Sequence, residues 1–315
     1  MTRLRDLLPG AALLLALTMG MIWLPSDTRL PMEILLVFAM AQAWNLLCGY
    51  AGLLSFGHQA FVGLGGYALF LTVNTSGLPL AAALGASVLV GVLAAAVMAL
   101  LLRNLRDAYF SIGIWVLAEV IRLSFGQWPL VGSSRGMMLD ASRLDLASFA
   151  EMVFWLALAL ALATQIAVFA LLRSRFGLGL MATRDNDVAA ASIGVDARAS
   201  RFVAFVFSAV VCALAGGIYY LSVLYIDPTG AFDLDWQIRI LFIVIIGGVG
   251  TLEGPILGTL IYFALRELFQ GQGEMFLITQ GALALAVMLI APRGIWGWVQ
   301  DRTGWQIFPT RWRVG

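Results

Sequence analysis

Long apolar runs separated by short polar punctuation fill the chain, and they lack the strict alternation that membrane barrel strands require. Most approach the roughly 20 residues an α-helix needs to cross the hydrocarbon layer. The pattern therefore predicts an all-α polytopic membrane protein with about ten spans. They are Leu7 to Leu24, Pro31 to Leu47, Ala60 to Val73, Leu80 to Leu102, Ala108 to Phe125, Met152 to Leu172, Phe202 to Leu221, Ile238 to Gly248, Pro255 to Leu268 and Met275 to Ile290. Three of these, Ala60 to Val73, Ile238 to Gly248 and Pro255 to Leu268, are short and flanked or broken by glycine. Short, Gly/Pro-interrupted segments at matching places in two halves point to a midplane pathway. Gly49-Tyr50-Ala51-Gly52, Gly57-His58, Gly63 and Tyr67 are echoed by Gly247-Gly248-Val249-Gly250, Gly254-Pro255, Gly258 and Tyr262, with a slip of register. That is a possible internal repeat.

One polar stretch interrupts the apolar pattern. From Arg173 to Arg201 the chain carries Arg173, Arg175, Arg184, Arg198 and Arg201 against Asp185, Asp187 and Asp196. Arginine accumulates in cytoplasmic loops, so this stretch is expected inside. With the first run read as a retained helix rather than a cleaved signal, 13 of the 19 basic residues fall on the inner side, and both termini come out cytoplasmic. Asp185, Asn186 or Asp187 can cap the alanine-rich turn that follows, and Gly194 suits a left-handed helix end. Two short helices joined by a polar elbow are expected. Phe176, Leu178, Leu180 and Met181 would be idle in a merely solvated linker, so they imply a partner.

Composition sharpens the class. The chain is 61% hydrophobic and 12% charged, about half the charged share of a soluble domain. Its mean hydropathy is +0.93. All its basic residues other than His58 are arginine, and the missing lysine excludes a Walker-type phosphate loop and Schiff-base chemistry within this chain. Any ATPase must then be a separate subunit. Cys48 and Cys212 lie far apart within apolar runs and read as buried thiols. No His/Cys/carboxylate spacing calls for a metal, and no cofactor is expected.

Other features each admit two readings. Gly250, Gly254 and Gly258 form a ladder of small residues that either packs two helices closely or marks a broken helix lining a pathway. Ser55, His58 and Gln59 form a polar interruption in which His58 caps a helix or ties a cytoplasmic loop, or else takes part in gating. Glu119 and Arg122 share a helix face as a structural ion pair or a solute contact. An ion-coupled secondary transporter would carry ionisable groups at the midplane, where only Glu119 comes near. A membrane enzyme would need a converging nucleophile, base and orienting group, which Ser55 and His58 alone do not supply.

Taken in order, these residues resemble the longer permease of branched-chain amino acid ABC importers, over about Leu35 to Trp298. The motifs are Gly49 to His58, Tyr109-Phe110 with Leu117 to Arg122, Arg175-Phe176-Gly177 through Arg184 to Asp187 with Ala189-Ala190, Ile246 to Pro255, and Ala291 to Gly294. The resemblance implies one permease domain over residues 1–315 in a bacterial inner membrane. It implies a homologous second permease, two ATP-binding cassette subunits and a periplasmic solute-binding protein as partners, with no nucleic acid. Within residues 173–201, a coupling element of Arg175, Phe176, Gly177, Arg184, Asp185, Asp187, Ala190 and Gly194 would dock on the ATPase. Ser55, His58, Gln59, Glu119, Gly247, Gly248, Gly250 and Gly254 would serve the pathway or its gating. One departure stands in the outer loop, Gly132-Ser133-Ser134-Arg135-Gly136, where relatives usually carry an acid or amide in place of Arg135. Related systems move urea, amides or aromatic acids.

Overall fold

The computed structural model describes residues 29–76, 78–105, 107–140, 149–304 and 307–308. The expected span Leu7 to Leu24 and the arginines at positions 3, 5, 106, 143, 311 and 313 lie outside them. Helices make up nearly all of the rest. Helix α1 (Arg29–Asn45) runs on through a π-helical turn (Leu46–Tyr50), and an extended segment leads to α2 (His58–Leu71). Then come α3 (Leu80–Leu101), α4 (Asp107–Gln127) and α5 (Phe149–Leu172). The polar stretch forms α6 (Arg175–Asp185) and α7 (Asp187–Ser192), followed by the long α8 (Ala197–Val223). After a single turn, α9 (Pro228–Ala231), the chain closes with α10 (Leu234–Gly247), α11 (Gly254–Leu268), α12 (Gly273–Ile290) and α13 (Gly294–Thr303).

Six of the described helical segments are long and apolar enough to cross a membrane. Helices α2, α10 and α11 are not, in line with the three short runs in the sequence. Several boundaries move outward from the apolar runs. Helix α8 starts at Ala197 rather than Phe202, because the Asp196 carboxylate accepts from Arg198 N and Ala199 N at 2.9 and 3.0 Å and so caps its first turn. Arg198 and Arg201 are thus helical, although polarity alone reads them as loop.

The core lies where α1, α2, α8 and α10 meet, with Leu36, Trp44, Phe61, Tyr67, Phe205 and Ile243 almost wholly buried. Close approach of α2 and α8 depends on small residues. A Cβ on Gly65 would fall 2.5 Å from Ala213 Cα, and one on Gly216 would fall 2.7 Å from Val62 Cα. By contrast α3, α4 and α12 leave long apolar side chains exposed, among them Leu93, Val97, Val120 and Leu289. In a membrane protein such surface belongs against lipid or another apolar chain.

The two ends of the bundle differ. At the end opposite α6 and α7, the strands β1 (Met137–Met138) and β2 (Tyr225–Ile226) pair antiparallel, Met137 with Ile226 and Met138 with Tyr225. There too, Glu33 at the start of α1 accepts from Arg239 of α10 at 3.0 Å and lies 2.7 Å from Arg266 of α11, while Arg239 also reaches Asp235. Arg239 and Arg266, which depart from the inward arginine bias, are thereby neutralised in place. Glu33→Ala leaves Arg266 without its carboxylate and Arg239 with Asp235 alone, and is expected to cost on the order of 1 to 2 kcal/mol. Thermal unfolding of the detergent-solubilised chain would register this as a lower midpoint, and an unchanged midpoint would show the cluster to be inert.

Candidate functional site

The extended segment between the π turn and α2 is irregular backbone inside a membrane bundle, so each polar group on it needs a protein partner. Four side chains from four different helices supply partners to this segment and to the π turn before it. Arg184 Nη1 of α6 donates to Gly49 O at 2.9 Å, and Arg201 Nε of α8 donates to Ala51 O at 3.2 Å. Ser111 Oγ of α4 donates to Leu54 O at 2.6 Å, and Trp44 Nε1 of α1 donates to Ser55 O at 2.9 Å. The second break, between α10 and α11, is held in the same way. Asn45 Oδ1 accepts from Gly250 N at 2.8 Å, Asn45 Nδ2 donates to Thr251 O at 2.7 Å, and Gln42 Nε2 reaches Leu252 O at 3.4 Å.

The two glycine-rich breaks compared in the sequence therefore meet in space. A Cβ on Gly49 would lie 2.7 Å from Gly250 Cα, so the contact is possible only without side chains. Gly250 has φ +72°, a conformation that other residues resist. The glycine ladder also serves packing, since a Cβ on Gly258 would lie 3.1 Å from Ile243 Cα of α10. Gly247, Gly248 and Gly254 cluster at that same hairpin, where Thr251 Oγ1 donates to Gly248 O at 2.8 Å and accepts from Gly254 N at 3.1 Å.

Helix α6 and helix α7 form the two short helices expected of the polar stretch, with the elbow at Asn186. Asn186 Oδ1 accepts from Val188 N and Ala189 N, both at 3.0 Å, which makes it the cap among the three candidates. Gly194 takes φ +84° after α7. Arg201 ties the elbow back to α8, donating to Asp187 Oδ2 at 2.8 Å, with a weaker reach to Thr183 O at 3.4 Å. Arg184 is braced by Asp185 at 2.9 Å. Of the apolar residues in this stretch, Leu180 and Gly177 are buried within the chain, whereas Leu178 is 41% exposed, and Val188 and Ile193 are 77% and 75% exposed. Ala190 is the buried residue of α7, while Arg175 is exposed and Phe176 partly covered at the start of α6.

His58 opens α2 deep in the bundle. Its ring is fully buried between Ser55 Oγ at 3.0 Å from Nδ1 and Ser208 Oγ at 2.8 Å from Nε2, and Ser208 lies near the middle of α8. It is no surface tie. Phe61 and Phe205 meet the ring edge-on. His58 N donates to Gln237 Oε1 of α10 at 3.1 Å, so one residue joins α2, α8 and α10. Gln59 beside it is 3% exposed, and its Oε1 has no hydrogen-bond partner. Glu119 stands apart. It binds Arg122 through both oxygens, with Nε at 3.1 and 2.9 Å, on a partly exposed face of α4. Thus Ser55 and His58 are brought together, the glycines of the second break pack on the first, and Glu119 joins neither group.

Several residues in these networks escape a motif search, namely Gln42, Asn45 and Ser208. The available signal was their polarity inside apolar runs, where a polar residue is costly unless it has a function or a partner.

The profile of the family described as "Branched-chain amino acid transport system / permease component" matches residues 32–292, a range that contains both breaks, the α6–α7 elbow and the His58 site. The chain belongs to this permease family. Its similarity to named relatives is spread along the chain. It is 24% identical over 283 residues to the high-affinity branched-chain amino acid transport system permease protein LivM of Escherichia coli (strain K12), covering 80% of this chain and 65% of that protein. The LivM of Salmonella typhimurium (strain LT2) gives the same identity and coverage. A probable branched-chain amino acid transport permease protein LivH of Methanocaldococcus jannaschii is 28% identical over 139 residues, 40% of this chain and 42% of that protein. The chain thus spans about two thirds of the length of the LivM relatives it matches. No solved structure matches it. Together with its long apolar helices, membership of the permease family makes the chain a multi-pass membrane protein.

Proposed function

We propose that this permease is one membrane subunit of an ATP-driven importer that carries branched-chain amino acids, or a related small polar solute, into the bacterial cytoplasm. Its partners in this reading are a homologous second permease, two ATP-binding cassette subunits that hydrolyse ATP, and a periplasmic solute-binding protein. The whole of residues 1–315 acts as one permease domain, with both termini and the α6–α7 elbow on the cytoplasmic side, consistent with the crowding of arginine there.

The observation that carries the reading is the way the elbow is hung. Arg184 and Arg201 attach α6 and α7 to the main chain of the first break at Gly49 and Ala51, and Asn45 attaches that break to the second. Residues 175–194 then form a lever. An ATPase that grips the exposed Leu178, Val188 and Ile193 pulls on both helix breaks at once, and small movements at packed breaks become a switch between two arrangements. Arg175, Phe176, Gly177, Asp185, Asp187, Ala190 and Gly194 shape or cap the lever. Ser55, His58 and Gln59 sit where the first break re-enters the bundle and take part in gating, together with Gly247, Gly248, Gly250 and Gly254. Glu119 serves the pathway only at its margin, through its pair with Arg122.

Mild-detergent purification of the tagged chain from its native membrane tests the assembly. A second polytopic permease together with ATP-binding subunits and ATP hydrolysis is the expected recovery. A stable chain recovered alone and without ATPase activity would overturn the reading in favour of a self-sufficient carrier.

A further inference from the structure

Glu253 stands at the mouth of α11 in the second break and is 3% exposed. Its side chain does not cap its own helix. Instead Oε1 accepts from the main-chain N–H groups of Ile307 and Phe308 at 2.9 and 2.8 Å, while Gln300 Nε2 of α13 stands 3.5 Å from Oε2. Phe308 is buried and meets Phe169 of α5 edge-on, with 5.9 Å between ring centroids. Arg173 lies over the same Phe169 ring at 5.3 Å, and α6 begins two residues further on. Glu253 thus ties the second break to the root of the elbow through a strap of two residues. Helix α13 is seated on the same break, because a Cβ on Gly294 would strike Gly248.

Two buried donors nearby are left over. The Tyr50 hydroxyl, at the end of the π turn, and Trp296 Nε1, on α13, have no hydrogen-bond partner. Both lie within electrostatic reach of the Glu253 carboxylate. Unpaired buried donors are costly unless another arrangement of the chain pairs them. We propose that Ile307 and Phe308 form a releasable latch and that Glu253 is the positioning residue that switches it. Glu253 accepts from the strap in the arrangement described here, and from Trp296 Nε1 and the Tyr50 hydroxyl once the elbow has moved. A carboxylate abandoned inside the break would be expensive, so the strap leaves only as the other two donors close in. Movement of α6 drags the end of α5 with it, Phe169 slides from Phe308, and the strap loses its apolar hold. Latched, the second break is fixed; unlatched, it moves with the first. The inference rests on the importer reading and adds to it a control on when the breaks respond to the elbow.

The assembled complex, reconstituted in proteoliposomes, provides the test. Tyr50→Phe removes a hydroxyl that bonds to nothing in the latched arrangement. It is expected to leave the thermal midpoint unchanged or raised and yet to lower ATP-driven uptake of L-leucine about tenfold, the worth of one hydrogen bond to a charged group. Trp296→Phe, which removes the second donor, is expected to lower uptake by a similar factor. Hydrogen exchange at the Ile307 and Phe308 amides follows the strap itself. Exchange is expected to be slow in the resting complex and at least about tenfold faster when a non-hydrolysable ATP analogue traps the ATPase subunits. Glu253→Gln keeps an acceptor oxygen without the charge and is expected to speed exchange in the resting complex about tenfold. If wild-type complex takes up leucine with ATP, then normal uptake in both Phe variants, or exchange indifferent to the trapped state, makes the strap a fixed brace, and only this inference falls. A wild-type complex without ATP-driven leucine uptake overturns the inference together with the reading beneath it.

Discussion

Arg184→Glu is expected to abolish solute uptake and the stimulation of ATP hydrolysis while leaving the chain inserted in the membrane. The side chain replaces a charge-assisted hydrogen bond to Gly49 O with a carboxylate facing a carbonyl. Losing such a bond costs about 1.5 to 3 kcal/mol, and the added repulsion drives α6 away from the break. The packed helices beneath keep their contacts, because the 38% exposed Arg184 side chain lies outside the core. The lever therefore comes off its anchor without the bundle unfolding. Asp187→Arg should act in the same direction by turning the Arg201 pair at 2.8 Å into a repulsion. Uptake and ATPase assays on purified complexes, with membrane insertion checked by fractionation, measure the effect. Normal transport in either variant would mean that the elbow does not carry the coupling.

Gly254→Leu is expected to have the largest effect on the fold itself. A Cβ at this position would lie 2.5 Å from Thr251 Oγ1 and 2.9 Å from Gly248 N, and the main chain of Gly248 has little room to withdraw from the break. Overpacking of this kind costs about 1 to 3 kcal/mol where side chains yield, and more against rigid backbone. Against a total stability of about 5 to 15 kcal/mol, that is a large share. The yield of folded, assembled chain is expected to fall several-fold, with uptake falling alongside. Size-exclusion profiles and thermal unfolding of the variant would show it. Unchanged assembly and transport would make the glycine ladder incidental to the fold.

The helical plan was legible in the apolar runs because a membrane helix leaves its mark locally, in length and hydrophobicity. The elbow was legible for a similar reason, since Asn186 and Gly194 are residues that end and begin helices by their own chemistry. The short α2, α10 and α11 could be read from glycines that interrupt the pattern. What spacing could not supply was the choice of partner across the bundle. Asn45 bonds to Gly250 and Thr251, Arg184 to Gly49, and His58 to Ser208 and Gln237, all pairs separated by more than a hundred positions. Helical periodicity places a side chain on a face but does not say which other helix will meet that face. His58 shows the consequence. Its sequence neighbours admit a tie at the membrane surface, whereas the fold buries it at the middle of α8. The start of α8 was obscured for another reason, because Arg198 and Arg201 carry charge that reads as loop while Asp196 caps them into a helix.

ATP-driven uptake of radiolabelled L-leucine into proteoliposomes, using the complex purified with this chain and its solute-binding protein, tests the importer reading most directly. Accumulation that requires ATP inside the ATPase-bearing compartment, and that is lost in Arg184→Glu, is the predicted result. Uptake that proceeds without ATP and follows a proton or sodium gradient, or that is indifferent to Arg184, would contradict it.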